Sequence, residues 1–565
     1  MFCDRAAPAP LRTNAHRLAT QILDDVTTTP NCPVLLQPAA IENVTSHLID
    51  RWVAVQPMPC DGTAMTRQKN DFHAPHDADP EITLAALAAQ LAAGETSSAA
   101  LVQSALAKGE QEGVENVFTQ LDVANAQQQA LEQDALRADG RAPSRWAGIP
   151  ITVKDLFDLA GQTTMAGSRV LSSRAPASAN APAIQHLLDA GFVVLGKVNM
   201  TEFAYSGLGL NAHYGTPVNP WSGEMARIPG GSSSGAGASV AGGIVPASIG
   251  TDTGGSVRIP AALCHLVGFK PPSAAVSTEG AVPLSATLDS VGPLANSVAC
   301  CRVLASIMSA GHICPSTVSG EAASLPPLSG RRLLLPVASS TRDCALWRQL
   351  DPQVQSRFEQ SVQRLVEAGV EIIREPVPLF DDVLESGVQG TIVGFESSQW
   401  HREMISHSAD QYDPRVLSRM LGGFDVTDEA YKIALAKRDV LIDRFAGLMK
   451  DFDAVIWPTT AIVAPTFDEL QDDKEYGRIN QLMLRNTSIG NTLDSAAVTI
   501  PLPITAAAES TADSLDSDLD SDAETLLDDR DRMPAGFMLL QSRERCDHLL
   551  AVAESLEPVI RYINL

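Results

Sequence analysis

Nowhere does this chain carry the run of about 18 uninterrupted apolar residues that a membrane-spanning helix needs. Its most apolar stretch, 236–249, is broken by glycines and by Pro246 and reads as buried core. Basic residues are also scarce. Lys and Arg number 41 against 67 Asp and Glu, a net charge of −26, which argues against partnership with nucleic acid or an anionic membrane, since both need basic surface. The nine cysteines, Cys3, Cys32, Cys60, Cys264, Cys300, Cys301, Cys314, Cys344 and Cys546, are odd in number and form no C-x-x-C pair. That pattern argues against a disulfide framework and a zinc site and predicts a reducing, cytoplasmic location. No H-E-x-x-H occurs and the 11 histidines are dispersed, so no metal or other cofactor is implied. The opening Met1-Phe2-Cys3-Asp4-Arg5 lacks a basic region followed by an apolar core, so no secretory signal is expected.

What is present is an ordinary globular composition, 45% hydrophobic and 19% charged, over 565 residues, enough to bury a large core. Residues 1–78 read as an N-terminal extension of unassigned role, with helices expected around 15–25 and 41–53. Residues 79–565 read as the main domain. Thr83 is placed to cap a helix carrying Leu84, Leu87 and Leu91 on one face, with Gly94 at its end, and a second helix starts near Ser97 or Ser98. Strands are predicted at 148–155, 191–196, 332–337, 370–373 and 454–457, with helices at 181–190 and 354–368. This alternation predicts an α/β fold with a large mixed, mainly parallel β-sheet covered by helices on both faces. Between 507 and 532 the composition shifts. Residues 509–531 alone hold nine net negative charges. Alternating aspartates at 516, 518, 520 and 522 hint at a calcium loop, but an EF-hand frame from Asp516 puts Ser521 where glycine is required and Leu527 where the bidentate glutamate belongs. The segment therefore reads as a solvated, disordered acidic insertion.

The chemistry concentrates between Gly230 and Arg258, where Gly230-Gly231-Ser232-Ser233-Ser234-Gly235 and Gly250-Thr251-Asp252-Thr253-Gly254-Gly255-Ser256 flank what reads as one helix and one strand. Serine supplies a nucleophile or proton relay, and glycine lets successive N–H groups converge on a developing negative charge. Lys154 ends a buried-looking strand. It can serve as a base only when neutral, hence buried, and strand alternation would send Asp155 to the opposite face. Each feature also has an ordinary reading, Thr253-Gly254-Gly255-Ser256 as a simple turn and Lys154 as a surface residue paired with Asp155.

Taken with Gly196-Lys197-Val198-Asn199-Met200-Thr201-Glu202-Phe203, Asn219-Pro220-Trp221, Gly268-Phe269-Lys270-Pro271 and Asp289-Ser290-Val291-Gly292-Pro293, this stretch closely resembles the amidase signature family. That family includes fatty acid amide hydrolases, bacterial amidases and the glutamine-hydrolysing component of glutamyl-tRNA amidotransferase. The resemblance runs from about Leu84 to Tyr562. It implies Ser256 as nucleophile, Ser232 as the cis-serine, Lys154 as catalytic lysine, and the N–H groups of Thr253, Gly254, Gly255 and Ser256 as oxyanion hole, with Ser233 and Arg258 in support. The implied reaction is hydrolysis of a small-molecule amide through an acyl-enzyme; a homodimer is left open. Ser234 and His265 depart from positions where the family often has glycine. A pocket built partly from 395–424 is expected.

Two other readings compete. An amidotransferase component would hydrolyse glutamine for a partner protein, although Ile259 stands where that component often has glutamine. Gly231-Ser232-Ser233-Ser234-Gly235 also matches the G-x-S-x-G elbow of α/β-hydrolases, with Ser233 as nucleophile, but the preceding 221–229 is polar and turn-like rather than a strand. A dinucleotide site fails because Val240 stands where G-x-G-x-x-G needs glycine.

Overall fold

A computed structural model describes residues 82–111, 113–315, 325–504 and 529–561. The N-terminal extension with its two expected helices, and the acidic segment up to residue 528, lie outside the described residues.

Helices α1 (Leu84–Ala93) and α2 (Ser98–Gly109) begin as their caps dictate. The Thr83 and Ser97 side chains accept from Ala86 N–H and Ala100 N–H, and Gly94 closes α1 with φ 71°. There follow β1 (Phe118–Leu121), α3 (Val123–Ala138), β2 (Pro150–Lys154), α4 (Pro182–Asp189), β3 (Val193–Val198), α5 (Ser234–Ala241), β4 (Ala247–Asp252), α6 (Arg258–Leu263), β5 (Val267–Lys270), β6 (Ser290–Ala295) and α7 (Val298–Met308). The second half holds β7 (Arg332–Pro336), α8 (Pro352–Glu367), β8 (Glu371–Glu375), α9 (Pro378–Glu385), α10 (Val388–Ser408), α11 (Pro414–Gly423) and α12 (Asp428–Leu448). It ends with β9 (Ala454–Pro458), α13 (Asp473–Thr492), β10 (Ala496–Pro501), β11 (Gly536–Gln541) and α14 (Cys546–Arg561). Every strand and helix predicted within the described residues is present, with ends moved by a residue or a few.

The strands form a single mixed sheet in the order β1-β3-β2-β4-β6-β5-β10-β11-β9-β7-β8. Parallel pairing is confined to β3-β2-β4 and β9-β7-β8. The centre from β4 to β9, and the edge pair β1-β3, are antiparallel. The expected parallel majority is thus corrected. The antiparallel pairs involve β5, β6, β10 and β11, strands that were not among those read from local pattern. From β3 to β9 the sheet is buried on both faces, while the edge strands β1 and β8 are partly exposed. In β3, Val194 belongs to one apolar core with Ile151 and Val153 of β2, while Val193 and Leu195 belong to the other with Val102 of α2 and Ala236 of α5. This alternation is what aims Thr152 and Lys154 at α5, away from Ile151 and Val153.

Close packing of β6 between β4 and β5 leaves no room at Gly292, where a Cβ would lie 2.1 Å from the Phe269 carbonyl oxygen. Gly292→Ala is expected to lower stability by about 1–3 kcal/mol through overpacking, seen as a reduced denaturant midpoint; an unchanged midpoint would contradict this packing.

Candidate active site

Lys154 is the last residue of β2 and is fully buried. Its Nζ donates to Ser232 Oγ at 2.7 Å and to Thr251 Oγ1 at 3.0 Å. Burial brings its pKa down to about 7, while the charges of Asp289 and Asp252 pull the other way. Asp155 turns to the opposite face as alternation requires. There Gly167 N–H donates to its carboxylate at 3.0 Å and Lys197 supplies the opposing charge, so the ordinary surface-pair reading of Lys154 does not hold.

Ser232 follows a cis peptide bond from Gly231, and its carbonyl accepts from Thr201 N–H at 3.0 Å. Ser233 precedes α5 without a side-chain capping bond, and its Oγ donates to the Thr251 carbonyl only at 3.5 Å. No strand precedes this segment, only an isolated bridge at Arg227, so the strand that a nucleophile elbow requires is absent among the described residues.

Ser256 lies on the turn between β4 and α6 and is 3% exposed. Among the described residues no hydrogen bond joins its Oγ to Ser232 or Lys154. Contacts of this kind are often long without substrate. The turn is held from three sides. Gln389 Nε2 donates to the Thr253 carbonyl at 3.0 Å, Thr487 Oγ1 to the Gly254 carbonyl at 2.6 Å, and Thr253 Oγ1 to Asp289. Gly255 has φ 139°, and a Cβ there would lie 2.2 Å from Thr487 Oγ1, so only glycine fits. With its carbonyls and the Thr253 hydroxyl engaged, the N–H groups of Gly254, Gly255 and Ser256 have no acceptor among the described residues. Such a row can receive an oxyanion.

Beneath the turn Arg258 and Asp252 form a fully buried ion pair. Arg258 Nε and Nη2 donate to Asp252 at 3.0 and 2.9 Å, Nη2 also to Asn491 Oδ1 at 2.7 Å, and Val257 N–H to Asp252 at 3.1 Å. Asn491 Nδ2 closes the ring on the Asp252 carbonyl and carboxylate at 3.0 and 2.9 Å. Burial pushes the Asp252 carboxyl up, but the charge and hydrogen bonds of Arg258 outweigh it and hold the pKa at about 2. At Asp289 burial wins and the pKa rises to about 6, although Thr253, Ser285 and Leu284 donate to it.

Sequence reading singled out Lys154, Ser232, Ser233, Thr253, Gly254, Gly255, Ser256 and Arg258. All lie around this one turn and the strand ends beside it. It missed Thr251, Asp252, Asp289, Gln389, Thr487 and Asn491. Asp252 and Asp289 stood inside segments already noted for resemblance; Gln389, Thr487 and Asn491 carried no local signal. A surface cleft of about 830 Å³, lined by residues of 345–349, 384–385 and α13, includes none of the sequence-predicted site residues.

Because a buried charge is costly without its partner, Asp252→Ala is expected to lower stability by about 3–5 kcal/mol. Asp252 has a folded pKa below its ordinary 3.8, so its contribution is complete above that value and is lost as pH falls toward 2. Acid titration of unfolding in Asp252→Ala should therefore flatten over that interval, and an unaltered acid limb would contradict the pairing.

The family model described as Amidase matches residues 100–541. A 2-amino-5-chloromuconic acid deaminase from Comamonas testosteroni is 31% identical over 484 residues, spanning 85% of this chain and 96% of the relative. A crystal structure of an amidase superposes with TM-score 0.70 at 27% identity, covering 85% of this chain and all of that one. A glutamyl-tRNA(Gln) amidotransferase component from Acidothermus cellulolyticus is 31% identical over 505 residues, spanning 83% of this chain and 96% of the relative. The matched model, the near-complete span of both relatives and the common fold agree: this chain belongs to the amidase signature family.

Proposed function

We propose that the chain hydrolyses a carboxylic amide to a carboxylate and ammonia or an amine, with Ser256 as nucleophile, Ser232 as proton relay and Lys154 as base. The observation that carries this reading is the buried 2.7 Å contact between Lys154 Nζ and Ser232 Oγ, made by an amine whose pKa lies near 7. Neutral Lys154 takes the Ser232 proton, and Ser232 takes that of Ser256 as its Oγ bonds to the amide carbon. The carbonyl oxygen, now negative, meets the N–H groups of Thr253, Gly254, Gly255 and Ser256. Collapse breaks the C–N bond, and the proton returns through Ser232 to the leaving nitrogen. Water then attacks the acyl ester by the same relay and frees Ser256. Ser233 and Arg258 support this arrangement, Arg258 through Asp252.

The amidotransferase reading has the Acidothermus relative in its favour. Ile259 speaks for a stand-alone amidase. It is fully buried and packs against the backbone of Gly207, Gly230 and Gly255, an apolar niche where the amidotransferase component often has glutamine. Glutaminase activity seen only with a partner protein would reverse the choice.

Ser256→Ala and Lys154→Ala are each expected to reduce kcat/KM by about 10³-fold or more, whereas Ser233→Ala should cost about tenfold or less. Activity that survives Ser256→Ala and disappears in Ser233→Ala would establish the elbow reading instead. In the unaltered enzyme kcat/KM should climb with pH through about 7 as Lys154 loses its proton; a flat profile from about pH 6 to 9 would remove lysine from the base role. Asp289 raises the lysine pKa by its charge, so Asp289→Asn should move the rising limb to lower pH.

A further inference from the structure

Helix α10 meets the turn from Thr253 to Ser256 at two points. Gln389, in its first turn, donates to the Thr253 carbonyl at 3.0 Å. Glu396 lies two helical turns on, along the same face. Its half-buried carboxylate takes four donors, two on each oxygen. Ser285 Oγ and Thr287 N–H, the latter at 3.1 Å, donate to Oε2, while Thr287 Oγ1 and Tyr431 O–H, the latter at 2.7 Å, donate to Oε1. Tyr431 belongs to α12 and stacks on Phe395, the neighbour of Glu396, with ring centroids 4.2 Å apart. Each of these donors is a hydroxyl or a backbone N–H, so the carboxylate clamps α10, α12 and the 285–287 segment together by charge-assisted hydrogen bonds.

Beyond that clamp lies the site. Ser285 is fully buried, and its N–H and that of Leu284 donate to Asp289 Oδ2 at 3.2 and 3.0 Å. Its carbonyl accepts the Asp289 N–H at 2.9 Å. The other carboxylate oxygen of Asp289 accepts from Thr253 Oγ1. Hydrogen bonds therefore run without a break from Glu396 through Ser285 and Asp289 to Thr253. Gln389 holds the carbonyl of that same Thr253, so α10 fixes both its backbone and its side chain. The Thr253 carbonyl and the Gly254 N–H share one rigid peptide plane, and to hold the first is to aim the second. We infer that Glu396 is a positioning residue for the oxyanion turn, acting through Ser285 and Asp289 on Thr253. Its effect is geometric, since N–H groups stabilise an oxyanion only when aimed at it in advance. The inference rests on the amidase reading above, and its test separates the two.

The probe is phenylmethanesulfonyl fluoride on the full chain, well below the unfolding midpoint of each variant. A nucleophilic serine Oγ bonds to its sulfur as fluoride leaves; intact mass reads the rate and peptide mapping the site. In the unaltered chain the adduct should form on Ser256. Glu396→Ala should lower the limiting rate of labelling at least about tenfold and leave the half-saturating concentration within about twofold, because aim is lost and binding is not. Glu396→Gln should recover most of the rate, since its amide oxygen can replace Oε2 while its N–H groups donate to the Thr287 and Tyr431 hydroxyls. Ser285→Ala cuts the path at its second link and should match Glu396→Ala. Added to Asp289→Asn, Glu396→Ala should cost about threefold or less, as groups acting in series do. A Glu396→Ala chain that melts earlier but labels Ser256 at the unaltered rate would make Glu396 a brace between helices and overturn the inference, as would full additivity with Asp289→Asn. Should Glu396→Ala not fold, an unaltered rate in Ser285→Ala overturns it equally. An adduct on Ser233 would overturn the amidase reading whatever the Glu396 variants do, and no adduct on either serine would overturn both.

Discussion

The buried Asp252–Arg258 ion pair, closed by Asn491, is the constraint on which the site depends. Two charges taken out of water are tolerable only when nearly every donor and acceptor between them is engaged. That demand leaves little freedom in where β4 ends, where α6 begins or how α13 lies across them. The turn from Thr253 to Ser256 spans the gap between these fixed points, and the Val257 and Arg258 N–H groups that follow it donate to Asp252.

The same pair helps to set the lysine. Lys154 is desolvated by complete burial yet feels two carboxylates, Asp252 and Asp289. Asp252 is neutralised at close range by Arg258 and stays ionised. Asp289 is satisfied by hydroxyl and N–H donors rather than by a cation, so its pKa is driven up to about 6. An amine near 7 is the balance of burial against these two charges. It sits where the parallel strands β3, β2 and β4 end together, the end of an α/β sheet at which ligands ordinarily bind.

Farther out, α13 carries two tasks on one helix. Thr487 fixes the turn through the Gly254 carbonyl, and Asn491, about one turn on, closes the ion pair. A shift of α13 would therefore disturb the turn and the ion pair together.

What the sequence determined by itself was local. Caps at Thr83 and Ser97, the β-branched run into Lys154, the apolar alternation of β3 and the two glycine–serine clusters all declare themselves within a few residues, because dihedral preference and side-chain period are short-range properties. Even the separation of Lys154 from Asp155 follows from the pleat. Tertiary structure alone decided what depends on distant chain segments meeting. Asn491 lies 239 residues from Asp252 and Thr487 233 from Gly254, and a hydrogen bond across such a span leaves no periodic trace. Sheet order did the same: β5, β6, β10 and β11 settle into an antiparallel centre because each completes its neighbours' backbone hydrogen bonds, a condition that no single strand's sequence expresses.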